Sequence, residues 1–263
     1  MKSLIVCADD YAQSPAIDAG IIQLIQQNRI SAASCMVLSP RWAEAAKSLT
    51  PEIRSKADIG LHLDFTQFGN TYAHPVLIAR SLLRSLPTKA IRLNIHAQLD
   101  RFEDALGTAP DYMDGHQHVH QLPQIRDALL DILKQRYSNK LPWIRIAKPP
   151  ANNGFKGKII KLLGANTLER KAKTMGFNCS GNLLGVYNFA GDSKDYEKLL
   201  ATWISAADSS IDTPALMCHP AIEKPESEMN DPIYAARMNE FLALNSNNFY
   251  SLLQTVKLTR KPH

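Results

Sequence analysis

The sequence predicts an α/β fold in which a parallel sheet curls into a complete or partial (β/α) barrel. Short apolar runs alternate with stretches of helical period along the whole chain. Candidate chemical residues stand at the C-terminal ends of four separate runs: Asp9 with Asp10, His62, His116 and His219. Right-handed crossovers place all those ends on one side, and four of them converge only if the sheet curves, since an open doubly wound sheet gathers its site at one switch point. Finally, 263 residues with 45% hydrophobic content show no Pro/Gly/Ser-rich linker, low-complexity tract or internal repeat. Barrels of this kind commonly use about 250 residues, so one domain over residues 1–263 is expected.

Each element follows from its residues. Ser3 to Ala8 is an apolar run ending in two acids and reads as a buried strand. Ser14-Pro15 supplies an N-cap and a first-turn proline for a helix whose Ile17, Gly20, Ile21, Leu24 and Ile25 share one face. Ser31 to Leu38 reads as the second strand and Trp42 to Leu49 as a helical piece. In the strand from Asp58 to Phe65, Ile59, Leu61 and Leu63 share one side, which turns Gly60, His62 and Asp64 to the other. Residues 67 to 87 lack a period and read as a long loop over the site, before a helix over 88 to 106 striped with Ile91, Ile95, Leu99, Phe102 and Leu106. Asp111 to Asp114 leads into a histidine cluster. Pro123 opens the next helix, with Ile125, Ala128, Leu129, Ile132 and Leu133 at helical spacing. The remainder reads as strands at Trp143 to Ala147, Asn182 to Tyr187 and Ala215 to Cys218. Helices are expected over 157 to 175, Ser193 to Ala206 and Pro232 to Leu244, with a terminal segment near 250 to 256.

Composition excludes several classes. No stretch approaches the roughly 20 apolar residues that cross a bilayer, and the opening apolar run is too short for a secretion signal, so a cytoplasmic protein without membrane contact is expected. Cys7, Cys35, Cys179 and Cys218 show no Cys-x-x-Cys spacing, and neither a disulfide framework nor a thiolate zinc site is indicated. The net charge of +5 is modest, and the basic stretch from Lys156 to Lys173 reads as a solvated helix face rather than a nucleic-acid surface. A Gly-rich phosphate loop, a Gly-x-Ser-x-Gly elbow and a His-Glu-x-x-His motif are all lacking.

The chemistry concentrates in His62, in Asp9-Asp10 and in the segment Asp114-Gly115-His116-Gln117-His118-Val119-His120. Imidazoles and a carboxylate with open coordination positions suit one catalytic divalent ion. Consecutive residues on a regular strand face opposite sides, so both acids reach one site only if the strand breaks into its loop just before Tyr11. One acid can then bind metal while the other serves as general base, the alternative being a capping or structural-pair role. In an extended segment, alternate histidines stand about 6.6 Å apart and His116 and His120 about 13 Å, so a single ligand is expected from the cluster, the others serving as supporting or substrate groups. Spacing alone does not say which. His219 diverges from Cys218 on a strand, which argues against a Cys-His dyad and leaves a proton donor to a leaving amine or a structural histidine. Arg145 is expected either to orient Asp9 or substrate, or to form a salt bridge across the barrel mouth.

Four blocks, Ala8-Asp9-Asp10-Tyr11, Gly60-Leu61-His62-Leu63, Asp114 to His120 with Pro123, and Met217-Cys218-His219-Pro220, occur in the order seen in the YdjC-like carbohydrate deacetylases. The chain resembles that family, which includes chito-oligosaccharide deacetylases, across about residues 4 to 222. The resemblance implies a distorted (β/α) barrel related to polysaccharide deacetylases. It also implies one divalent ion, Mg²⁺ or Zn²⁺, held by Asp10, His62 and His116, with Asp9 as base and His219 as acid. The implied activity is hydrolytic removal of acetyl groups from an N-acetylated sugar, and because family members commonly form dimers the resemblance extends to a homodimer. This chain departs from the usual family pattern at Cys7, where Asn is usual, at Tyr11-Ala12 in place of Phe-Gly, and at Ala221 in place of Gly. None of these removes a ligand; they change the loops around the site. Two other readings use the same residues: a non-haem iron oxygenase with two histidines and one carboxylate, and a non-catalytic sugar-binding relative. Anaerobic turnover separates the first from hydrolysis, and sugar binding without acetate release identifies the second.

Overall fold

A computed structural model describes residues 1–69, 72–150, 160–207, 212–222 and 231–262. The strands are β1 (Lys2–Tyr11), β2 (Ala32–Cys35), β3 (Asp58–Leu63), β4 (Tyr112–Gly115), β5 (Trp143–Ile144), β6 (Leu183–Leu184), β7 (Ala215–Cys218) and β8 (Val256–Leu258). Around them lie α1 (Pro15–Gln26), α2 (Trp42–Ala45), α3 (Pro51–Lys56), α4 (His74–Leu82), α5 (Thr88–Leu106), α6 (Ile125–Arg136), α7 (Asn166–Thr174), α8 (Ser193–Ala206), α9 (Tyr234–Leu244) and α10 (Asn247–Leu253). The strands pair in parallel in the order β5-β4-β3-β2-β1-β7-β6, with β8 added beside the start of β1. The two ends of this sheet meet. Ile144 receives a hydrogen bond from Ser180 N–H and donates one to the Asn178 carbonyl, and Leu183 N–H reaches the Lys148 carbonyl. The result is the expected (β/α) barrel, distorted because two of its strands are only two residues long.

Strand alternation divides the interior into two cores. Leu4, Val6 and Ala8 of β1, with Ile59, Leu61 and Leu63 of β3, pack outward against the helices in one large cluster. Ile5, Cys7, Ala32, Tyr112, Trp143, Leu183, Ala215 and Met217 point inward and form a second cluster inside the barrel. Tyr112 and Trp143 fill the narrow centre by stacking with ring centroids 4.3 Å apart, an arrangement that aromatic pairs favour when offset. Gly60 makes room for them, because a Cβ there would lie 2.5 Å from the Tyr112 ring. The inward layer above is polar, and it is the site.

Several expected elements differ. The segment 67 to 87 is not one loop, because α4 occupies its middle; only Leu77 and Ser81 of that helix are buried while Val76 and Leu82 are exposed, so no apolar stripe announces it. The second, fifth and sixth strands are shorter than the apolar runs containing them, although Arg145 N–H still bonds the Met113 carbonyl just past β5. The expected helix over 157 to 175 is described from residue 160 onward, its first turns lying outside the described residues. Near the C-terminus, three-residue β8 is too short to carry a period. In the basic stretch, Lys171 pairs with Asp127 at 2.6 Å and Lys173 with Asp212 at 2.7 Å. All four cysteines are free and buried. No described helix is long and apolar enough to cross a membrane.

Candidate active site

Regular alternation places Asp9 inward with Ile5 and Cys7 and would send Asp10 outward among the helices. The chain does not break before Tyr11 as expected. Instead β1 continues through Tyr11 with a bulge: Asp10 has φ 69°, and the register with β2 slips between Ala8 and Tyr11. That one left-handed residue re-aims a carboxylate that strict pleating would bury in the outer core. Asp18 caps the turn, accepting the Ala12 N–H at 2.6 Å.

Three strands then deliver three donors. Asp10 Oδ1 lies 3.0 Å from His116 Nδ1 and 3.4 Å from His62 Nε2, and the donor atoms of the three residues all fall within 4.8 Å of one another. His62 turns its other ring nitrogen to Asp114 at 2.6 Å, leaving Nε2 towards Asp10. This is the arrangement in which an outer carboxylate fixes the tautomer and orientation of a metal-binding imidazole. The donor set fits a divalent cation: two imidazoles and a carboxylate, beside the further acids Asp9 and Asp114. Burial opposes charge on His62, but Asp114 and Asp9 outweigh it and push the imidazole up to about 10. Burial likewise opposes ionisation of Asp10, but Arg237 and His116 hold it well below the usual carboxylate range. Arg237 Nη2 sits 2.7 Å from Asp10 Oδ2, and Asp231 balances it at 2.5 Å.

Asp9 is gripped by Arg145, whose Nη1 and Nη2 donate to its two oxygens at 2.5 and 2.7 Å. The same guanidinium reaches Asp114 at 2.9 Å, and Ser34 donates to Asp114 at 2.5 Å. Both alternatives for Arg145 therefore hold, since it orients Asp9 through a fully buried salt bridge across the mouth. Opposite stands His219, with Nε2 3.9 Å from Asp9 Oδ2 and Nδ1 3.8 Å from Glu240. Burial opposes protonation of His219, yet Glu240 prevails and raises its pKa. The backbone N–H of His219 donates to Glu240, and Tyr187 donates to the same carboxylate at 2.7 Å.

The histidine cluster is not extended. Residues His116–Gln121 form a tight turn in which Gln117 and His118 take left-handed φ of 52° and 61°, so His116 alone of the three reaches Asp10. His120 turns back against the Arg145 carbonyl at 2.9 Å, and burial lowers its pKa to about 4. His118 lines the cavity, and burial together with the nearby Arg145 keeps its pKa well below that of a free imidazole. Sequence reasoning placed Asp114 in the segment that carries the chemistry without giving it a role of its own, and it missed Arg237 and Glu240. Arg237 and Glu240 carried a signal: they are charged residues on the buried stripe of α9.

These groups floor a cavity of about 480 Å³, a size typical of small-ligand sites. Ile160, Leu163, Val186, Tyr187, Phe189 and Ile233 give it an apolar wall.

Fold and rim together define a class, the (β/α)-barrel proteins with a histidine–aspartate cluster at the C-terminal mouth of the strands. Within it the chain belongs to the YdjC-like protein family, whose model matches residues 3–255. It is 29% identical over 173 residues to the carbohydrate deacetylase of Mus musculus, covering 57% of this chain and 51% of that protein. It is 28% identical over 143 residues to the chitooligosaccharide deacetylase of Proteus mirabilis (strain HI4320), covering 51% and 56%. These matches thus span about half the length of the curated relatives. In fold the chain is similar to a crystal structure from Enterococcus faecalis V583 described as a candidate cellobiose-phosphate cleavage protein. The TM-score is 0.70 at 18% identity, over 98% of this chain and 97% of that one.

Proposed function

We propose that this chain is a metal-dependent carbohydrate deacetylase that hydrolyses the acetamide of an N-acetylated sugar, a chito-oligosaccharide or related amino sugar. The observation that carries the reading is the convergence of Asp10, His62 and His116 within 4.8 Å beside an Arg145-clamped Asp9. The printed names of the curated relatives support the substrate class. Asp10, His62 and His116 would hold Mg²⁺ or Zn²⁺, which when bound polarises a carbonyl and makes water nucleophilic near neutral pH.

The remaining steps belong to the chain. Asp9, its orientation set by two hydrogen bonds from Arg145, accepts a proton from the attacking water. Asp114 holds the His62 ring in place while also anchoring Arg145, so ligand and base are tied to one buried carboxylate. His219, whose pKa Glu240 raises against burial, faces Asp9 from the other side and gives a proton to the departing amine. Acetate and the free amino sugar result. The test is metal analysis of the purified protein joined to acetate release from a panel of N-acetylated sugars. Metal-dependent acetate release under anaerobic conditions is expected. Turnover that requires O₂, or tight sugar binding with no acetate released by metal-loaded protein, would overturn the reading.

A further inference from the structure

The segment joining β6 to α8 is bent at three positive-φ residues, Gly185 (89°), Phe189 (59°) and Gly191 (95°). Two of these are glycine for evident reasons. A Cβ on Gly185 would come within 2.0 Å of the Met217 carbonyl oxygen, and Gly191 precedes Asp192, the N-cap of α8. Phe189 has no such excuse, since a bulky residue in the left-handed region carries a steric penalty that glycine avoids.

The segment nevertheless holds Phe189 firmly in one place. Tyr187 is tied through its hydroxyl to Glu240, which also binds the His219 backbone, and Asn239 of α9 donates to the Gly191 carbonyl at 3.0 Å. The Phe189 ring lies 4.9 Å from that of Tyr187 and 5.4 Å from that of His219, nearly perpendicular to the imidazole. It is half-buried and lines the cavity.

Position relative to His219 decides what this ring meets. A proton donor must come within about 3 Å of the nitrogen it protonates, so the sugar carbon bearing that nitrogen must lie close beside His219. The pyranose ring therefore has to pass over the side chain next to the imidazole. A pyranose presents a face of C–H groups that water solvates poorly, and covering it with a flat apolar ring is favourable.

We propose that Phe189 is the stacking surface for the sugar ring whose amine is released, and so a specificity-determining residue for pyranose substrates. This rests on the deacetylase reading. The floor of the cavity recognises the acetamide, which any acetylated amine carries, whereas Phe189 recognises the ring attached to it.

The test uses the metal-loaded full chain and its variants Phe189→Ala, Phe189→Leu and Phe189→Tyr, with the N-acetylglucosamine oligosaccharide that the unmodified protein turns over best. In Phe189→Ala and Phe189→Leu, KM should rise about tenfold while kcat falls far less, because the lost contact is present in ground and transition states alike. Phe189→Tyr, which keeps a flat ring, should restore KM; metal content and Tm should match the unmodified protein in all three. An unchanged KM in Phe189→Leu, or a loss confined to kcat, overturns the stacking role. If the unmodified protein releases no acetate from any sugar, the deacetylase reading fails instead. Calorimetric titration of the same oligosaccharide into unmodified protein and Phe189→Ala then decides the stacking surface separately, with equal binding or none counting against it.

Discussion

The two sides of the barrel mouth are held in different ways. On the side built by β1 to β4 and the end of β5, the polar side chains interlock at hydrogen-bond distance, with His62 to Asp114 at 2.6 Å, Ser34 to Asp114 at 2.5 Å and Arg145 to Asp9 at 2.5 Å. On the side built by β7 and α9, the His219 ring stands 3.8 Å from Glu240 and 3.9 Å from Asp9. The first side is a preorganised cradle whose parts constrain one another. The second holds its imidazole by charge and by its backbone rather than by direct side-chain hydrogen bonds, so the proposed donor is constrained less closely than the proposed base.

Variants on the two sides should therefore fail differently. The largest effect is expected at the donors themselves: Asp10→Asn or His62→Ala should abolish both metal uptake in calorimetry and acetate release, and a chelator should do the same to the unmodified protein. Metal binding of ordinary strength in either variant would show that the cradle is not the ligand set. Next come Asp9→Asn and His219→Ala, which should keep metal while turnover drops by about 10² to 10⁴-fold. Unchanged acetate release in either would refute its assigned role. Asp114→Asn tests the interlocking directly, with metal affinity expected to fall about 10- to 100-fold through a misplaced His62.

Glu240→Gln, the counterpart on the looser side, should leave metal affinity untouched and alter only the pH profile. An acid must carry its proton, so turnover falls as pH rises through the His219 pKa, which Glu240 raises against the effect of burial. Removing that charge lowers the pKa and shifts the basic limb of kcat/KM to lower pH, a change visible in initial rates between neutral and alkaline buffers. A profile identical to that of the unmodified protein would mean that Glu240 acts by position alone.

Much of this mouth is legible in the order of amino acids. The alternation Ile59, Leu61, Leu63 against Gly60, His62, Asp64 places His62 inward, and the grouping of acids and histidines at strand ends implies a sheet that curls into a complete or partial barrel. What periodicity conceals is everything depending on a single irregular residue. Asp10 faces the site only because its φ is 69°, and His116 separates from His118 and His120 only because Gln117 and His118 turn left-handed. Side-chain pattern assumes regular backbone, so it has no means of registering a bulge. Helix α4 is hidden for the opposite reason: its backbone is regular, but only Leu77 and Ser81 of it are buried.

Spacing along the chain is enough to set which strands and most of the helices form, which face of each strand is apolar, and which short segments hold the candidate chemical residues, because all of these are local properties. The partnerships exist only in the folded molecule: Asp9 with Arg145, His62 with Asp114, Asp10 with Arg237, His219 with Glu240. Those pairs join residues 21 to 227 positions apart, and each depends on how the sheet closes and where α9 docks, distances that no local pattern encodes.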